Sequence, residues 1–226
     1  MQILGNPNSK NEKLIAAIKR ISVLEICDED FIRDKFLKEV KNGDTVLDCG
    51  KSLRDFFSEV NSKGAKVLTI DINTFENYPD FQADICDTSS MNELNLKFNY
   101  VICFSLLEHC YDPFSAAKNL FYKLAPNGKI YGSAPFLFPH HGPTDLSYQD
   151  YFRFTRDSYA LLFPEAKNIT LYPLRGRLGT SLVVLTLKYR FIFERKFPHF
   201  AHLINKLISK GRNKLQSSGF AFVIEN

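Results

Sequence analysis

Asp48, Gly50 and Asp71 are the residues of this 226-residue chain whose types and spacing point most directly to chemistry. The stretch Thr45-Val46-Leu47-Asp48-Cys49-Gly50-Lys51-Ser52 reads as a strand, a tight turn and the approach to a helix, with Leu53, Phe56, Phe57 and Val60 at helical spacing. A second apolar segment, Ala65 to Ile70, ends on Asp71, about twenty residues past the glycine. A carboxylate there can accept hydrogen bonds from both hydroxyls of a ribose, so a βαβ unit of this kind is a nucleoside-binding half-fold. Only one glycine occupies the turn, so the three-glycine dinucleotide fingerprint is missing.

The elements around these residues alternate between strand and helix. Residues 9–22 and 28–40 carry apolar stripes that predict two leading helices, with Asp28 suited to cap the second. Asn42-Gly43-Asp44 breaks the pattern before the first strand. Residues 81–87 read as a short third strand ending in acids, and Met91 to Leu96 as a short helix or loop. Tyr100 to Phe104 is apolar throughout, as a strand buried on both faces must be. Asp112-Pro113 opens another helix, Pro126-Asn127-Gly128 is a turn, and Lys129 to Ala134 is the next strand. Asp157 to Phe163 reads as a helix, and Ile169 to Tyr172 and Phe220 to Ile224 as the last strands. This alternation implies a parallel sheet with helices on both faces. The expected organisation is N-terminal helices over 1–40 packing on a domain over 41–226. That domain carries a helical, basic insert at about 175–218 before its last strand.

Composition narrows the functional classes. With 45% hydrophobic residues the chain can bury one sizeable core. No apolar run approaches the roughly twenty residues that cross a bilayer, and Met1 to Lys10 is polar, so a cytoplasmic location is expected. Five cysteines without CxxC spacing read as reduced core residues, and no metal site is expected. From Lys188 onward eight Lys or Arg face two acids, a net of +6, which leaves −2 for the rest of the total of +4. Nucleic acid is therefore not an expected partner of the main body. Phe200, Leu203, Ile204, Leu207 and Ile208 mark an amphipathic helix in the basic tail. Its apolar face is expected to pack on the sheet or on a second copy in a homodimer. The sharper alternative is peripheral contact with the inner face of an anionic membrane.

Several motifs in register resemble class I S-adenosylmethionine-dependent methyltransferases over roughly residues 40–175. They are Val46-Leu47-Asp48-Cys49-Gly50, Thr69-Ile70-Asp71-Ile72, Ala83-Asp84-Ile85, Tyr100 to His109 with its Leu-Glu-His run, and Leu124-Ala125-Pro126-Asn127-Gly128. The resemblance implies a Rossmann-like, doubly wound, mostly parallel seven-stranded α/β sheet and S-adenosylmethionine as cofactor. It places Asp48, Cys49 and Gly50 in the turn beneath the methionine moiety, Asp71 on the ribose and Ile72 on the adenine. Asp84 and the Ile85 amide fall at the adenine edge, and Phe104 and Ser105 border the methionine. Ser52 and Arg54 stand where the family has further glycines, so side chains are expected to crowd the cofactor there. Glu108 and His109 read as local structural residues.

A narrower resemblance joins residues 135–145 and 150–155 to bacterial methyltransferases associated with surface-polysaccharide clusters. It implies a substrate segment above the methyl donor. A sulfonium methyl is already electrophilic, so alignment and exclusion of water do most of the work. A hydroxyl acceptor also needs a proton acceptor, which histidine supplies near neutral pH. His140 and His141 are the candidates; as neighbours they face apart, so one of them at most serves. Asp145 is the orienting partner or alternative base, and Arg153 a candidate for an anionic sugar or phosphate. The expected activity is methyl transfer to an oxygen, less readily a nitrogen, of a small molecule, saccharide or lipid-linked glycan. The rival expectation is a non-catalytic scaffold of the same fold.

Overall fold

The computed structural model describes residues 7–53, 56–142, 148–176, 179–181 and 215–226. Two helices, α1 (Pro7–Lys19) and α2 (Glu29–Glu39), flank a short strand β1 (Ile21–Val23). Then come β2 (Thr45–Cys49), α3 (Phe57–Ser62), β3 (Lys66–Asp71), β4 (Phe81–Gln82), α4 (Thr88–Glu93) and β5 (Phe98–Phe104). A 3-10 turn at Leu107–His109 leads to α5 (Pro113–Tyr122), β6 (Leu124–Pro135), α6 (Ser158–Leu162), β7 (Asn168–Leu174) and β8 (Gly219–Glu225). Asp28 caps α2, its carboxylate accepting from the Phe31 amide at 2.9 Å.

The eight strands form one sheet in the order β1-β7-β8-β6-β5-β2-β3-β4. Only β8 runs against its neighbours, lying antiparallel between β6 and β7. Successive residues of the central strands point to opposite faces, so each face has its own core. Leu47, Val101 and Ile130 join one with Leu120 and Tyr159. Val46, Ile102 and Tyr131 join the other with Ile32, Phe36 and Val60. Strands covered on both sides in this way must be apolar throughout.

The sheet differs from the seven-stranded expectation at its edge. Ile21 fits a helical stripe, yet the helix ends at Lys19 and Ile21 to Val23 pair with Ile169 to Leu171. Arg20 fixes this change of direction by donating to the Pro164 and Ala166 carbonyls at 2.7 and 2.6 Å. The third strand is also shorter than predicted. The Asp84 carboxylate takes the Cys86 amide at 2.8 Å, turning the chain where a strand would continue. The predicted amphipathic helix at 200–208 lies outside the described residues. No described helix is long and apolar enough to cross a membrane.

One consequence of the strand order bears on the site. The chain leaves β2 toward β3 on one side and returns to β5 on the other, so a crevice opens where the carboxyl ends of β2 and β5 part.

Candidate functional site

A cleft of about 530 Å³ occupies that crevice. Gly50, Asp71, Ile72, Asp84, Ile85, Phe104 and Ser105 all line it, as do Glu108, His109 and His141. Gly50 sits at φ +63°, and a Cβ there would stand 2.9 Å from Leu106 Cδ1. Left-handed backbone and close packing together call for glycine.

Asp48 and Cys49 lie beneath the turn rather than in the cleft. Asp48 is buried and accepts from the Leu53 amide at 3.0 Å. Burial pushes its carboxyl up to about 6, against the opposing pull of the Leu53 and Ser52 amides. Ser52 does not crowd the cleft: its hydroxyl turns into the sheet, donating to the Cys49 carbonyl at 2.5 Å and accepting from the Phe104 amide at 2.9 Å. It therefore ties the end of β2 to the end of β5 across the crevice floor. Lys51 extends to the Tyr78 ring, with Nζ 5.4 Å from its centroid. Arg54 lies outside the described residues.

Asp71 ends β3 with its carboxylate half-buried. Oδ1 accepts from the Asn73 amide at 2.8 Å, and the Tyr78 hydroxyl donates to Oδ2 at 3.3 Å. Asp84 accepts from the Cys86 amide and, at 3.0 Å, from the Tyr111 hydroxyl, which raises that phenol to about 12. Its neighbour Asp87 instead caps α4 through the Ser89 amide.

The opposite wall is built from two distant segments. After β5 the backbone turns at Ser105, φ +49°, into the 3-10 turn that buries Leu107 and Glu108. The Tyr151 and Phe152 amides donate to the Glu108 main-chain carbonyl at 2.8 and 3.1 Å, fixing the turn against the loop after β6. Neither Glu108 carboxylate oxygen has a hydrogen-bond partner among the described residues. Oε1 faces His141 Nε2 at 3.7 Å and His109 Nε2 at 3.9 Å. The two imidazoles meet edge to face at 5.0 Å.

Arg153 stands behind this wall and does not line the cleft. Its guanidinium pairs with both oxygens of Asp150 and donates to the carbonyls of Phe138, Pro139 and Phe152. Asp150 in turn accepts from the His141 amide at 2.9 Å and lies 3.2 Å from His141 Nδ1. The Arg153 charge and the His141 contacts hold the Asp150 carboxyl well below the usual range despite its burial. His141 is pushed up, first by the Glu108 carboxylate and then by Asp150. The structure thus brings His141 into the cleft, while His140 is exposed and does not line it. Asp145 lies outside the described residues.

Glu29, from the first turn of α2, is a cleft residue that the sequence reading missed. Its Oε1 accepts from Ser133 Oγ at 2.8 Å and approaches Ser105 Oγ at 3.5 Å. In sequence it is an ordinary acid at a helix start. Glu108 and His109 had a visible signal, the Leu-Glu-His run at the carboxyl end of a buried strand, where open α/β sheets bind ligands.

Residues 23–175 match a family model described as a methyltransferase domain. Among solved structures the chain is similar to a SAM dependent methyltransferase from Archaeoglobus fulgidus, at TM-score 0.54 and 14% identity over 88% of this chain and 92% of that one. It is likewise similar to an S-adenosylmethionine dependent methyltransferase from Mesorhizobium loti, at TM-score 0.52 and 12% identity over 88% and 98%. At such identities the likeness bears on the fold. No curated protein matches the chain.

Proposed function

This chain belongs to the methyltransferase-domain family, and on that premise we propose that it transfers a methyl group from S-adenosylmethionine to an oxygen of a small molecule, saccharide or lipid-linked glycan. The observation that carries the reading is one continuous cleft at the sheet's switch point, with strand-end acids on one side and Glu108, His109 and His141 on the other. Asp71 holds the ribose hydroxyls, Asp84 and the Ile85 amide meet the adenine, and Ile72 packs on its face. Gly50 and Ser105 border the methionine moiety. Ser52 turned into the sheet keeps the Gly50 turn clear, which supports a catalytic domain over a scaffold.

The acceptor oxygen attacks the methyl carbon in line with sulfur as the S–CH3 bond breaks, and the electron pair stays on sulfur, leaving S-adenosylhomocysteine. A hydroxyl held on the Glu108 side has His141 Nε2 and the Glu108 carboxylate at hand as proton acceptors. Phe138, Tyr148 and Tyr151 line the same side with ring surface suited to the faces of a sugar or aromatic acceptor. Arg153 is a positioning residue, acting through Asp150 on His141. The test is transfer of labelled methyl to panels of hydroxylated and amine acceptors. Label on oxygen, lost in His141→Ala, is expected; label on amines alone would move the reaction to nitrogen.

A further inference from the structure

The Glu108 carboxylate is buried with neither oxygen hydrogen-bonded among the described residues. Its side chain is 1% exposed, although it lines a cleft that could have been closed over an apolar residue. An ionised carboxylate in such a place needs a positive partner.

The two imidazoles facing it are oriented from behind. His109 Nδ1 lies 2.8 Å from the Gln149 carbonyl, an acceptor only, so Nδ1 carries a proton and Nε2 is the nitrogen turned toward Glu108. His141 Nδ1 lies 3.2 Å from both the Pro139 carbonyl and Asp150 Oδ2, which assigns its proton the same way. One carboxylate oxygen and two ring nitrogens therefore converge at the wall of the cleft. One ligand atom from each residue lies within 4.8 Å of the other two. The Glu108 oxygen stands 3.7 and 3.9 Å from the two Nε2 atoms, spans that an ion bonded at ~2.0–2.2 Å to nitrogen and carboxylate oxygen can bridge. Acceptors behind the ligating imidazoles are also what orients metal-bound histidines.

We propose that Glu108, His109 and His141 bind a divalent transition-metal ion, with the open coordination positions facing the cleft and taking the acceptor oxygen. Two imidazoles and a carboxylate suit zinc, manganese or iron(II) rather than magnesium or calcium. The ion's use in catalysis rests on the methyl-transfer reading; its binding does not. With the ion in place both Nε2 atoms are ligands, and the ion takes over activation of the acceptor. A ligated hydroxyl releases its proton to water in the cleft mouth. The resulting oxyanion forms the O–CH3 bond as S–CH3 breaks, and the pair left on sulfur neutralises the sulfonium.

The experiment is calorimetric titration of the full chain, stripped with chelator, with Zn²⁺ alone and with Mn²⁺ alone, alongside a separate titration with S-adenosylmethionine. One ion per chain is expected. Glu108→Gln, which keeps the side chain's shape, and His141→Ala, on a surface loop, should each weaken it by more than about 100-fold, beyond the roughly 10–100-fold typical of losing an outer partner. The exposed His140→Ala should bind as wild type, and cofactor affinity should stay within about twofold in all three. No saturable ion binding below millimolar, or equal binding in every variant, overturns the site while leaving cofactor binding to stand or fall by its own titration. Ion binding without S-adenosylmethionine binding keeps the site and overturns the methyl-transfer reading.

Discussion

Replacing Ser52 by alanine removes a buried cross-link at the floor of the cleft. In the native chain its hydroxyl donates to the Cys49 carbonyl at 2.5 Å and accepts from the Phe104 amide at 2.9 Å, with the residue 2% exposed. Alanine leaves the Phe104 N–H without that acceptor, and a buried donor so stranded costs about 1–3 kcal/mol. With the second bond lost as well, Ser52→Ala is expected to destabilise the fold by ~2–3 kcal/mol. Ser52→Gly, which recreates the residue common in related turns, should cost about 0.5–1 kcal/mol more through backbone freedom. For a domain of this size the loss in Ser52→Ala corresponds to a Tm lowered by about 4–12 °C. Thermal unfolding measures the stability, and calorimetry with S-adenosylmethionine measures the cleft. Because Ser52 points into the sheet, Ser52→Gly should bind the cofactor within ~3-fold of wild type at temperatures where both are folded. A stability loss under about 0.5 kcal/mol, or tenfold tighter cofactor binding in the glycine variant, would refute the placement of this side chain.

Other perturbations follow from the same geometry. The Asp48 carboxyl, raised to about 6 by burial, favours the folded state fully below its ordinary value of 3.8 and progressively less as pH rises through 6. Asp48→Asn should therefore flatten the pH dependence of unfolding between 4 and 6 and gain up to ~3 kcal/mol at pH 7, read by denaturant titration. Tyr78→Phe removes the hydroxyl that donates to Asp71 Oδ2 at 3.3 Å and should tighten S-adenosylmethionine binding by about two- to fivefold, as one long hydrogen bond to the carboxylate no longer competes. Arg153→Lys cannot reproduce contacts to Asp150 and three carbonyls, so it should destabilise by ~2–3 kcal/mol and lower kcat through His141, as thermal unfolding and turnover would report.

Much of the frame is readable from local pattern. β2, the Gly50 turn and β3 follow from apolar runs, a glycine and an acid at fixed offsets, and the doubly buried β5 from an uninterrupted apolar segment. Asp71 and Asp84 stand at the carboxyl ends of strands, so their place at the crevice follows once the strands are recognised. What escapes the sequence is long-range or rotameric. Glu29 reaches Ser133 across 104 residues, and no local periodicity records that contact. The meeting of His141 with Glu108 depends on a loop pinned by Asp150 and Arg153, and the Arg153 side chain reads equally well as a substrate contact. Ser52 misleads because sequence shows a side chain where a glycine is usual, but not the direction in which its hydroxyl points. Ile21 to Val23 become a strand only because β7 offers an open edge.

The most direct measurement is calorimetric titration of the purified chain and its Asp71→Ala variant with S-adenosylmethionine and S-adenosylhomocysteine. Saturable binding of both ligands to the native chain is expected, with a loss of about tenfold or more in the variant, as a charged acceptor for two ribose hydroxyls disappears. Absence of binding at millimolar ligand, or equal affinity in the variant, would contradict a methyl-donor site at the switch point of this sheet.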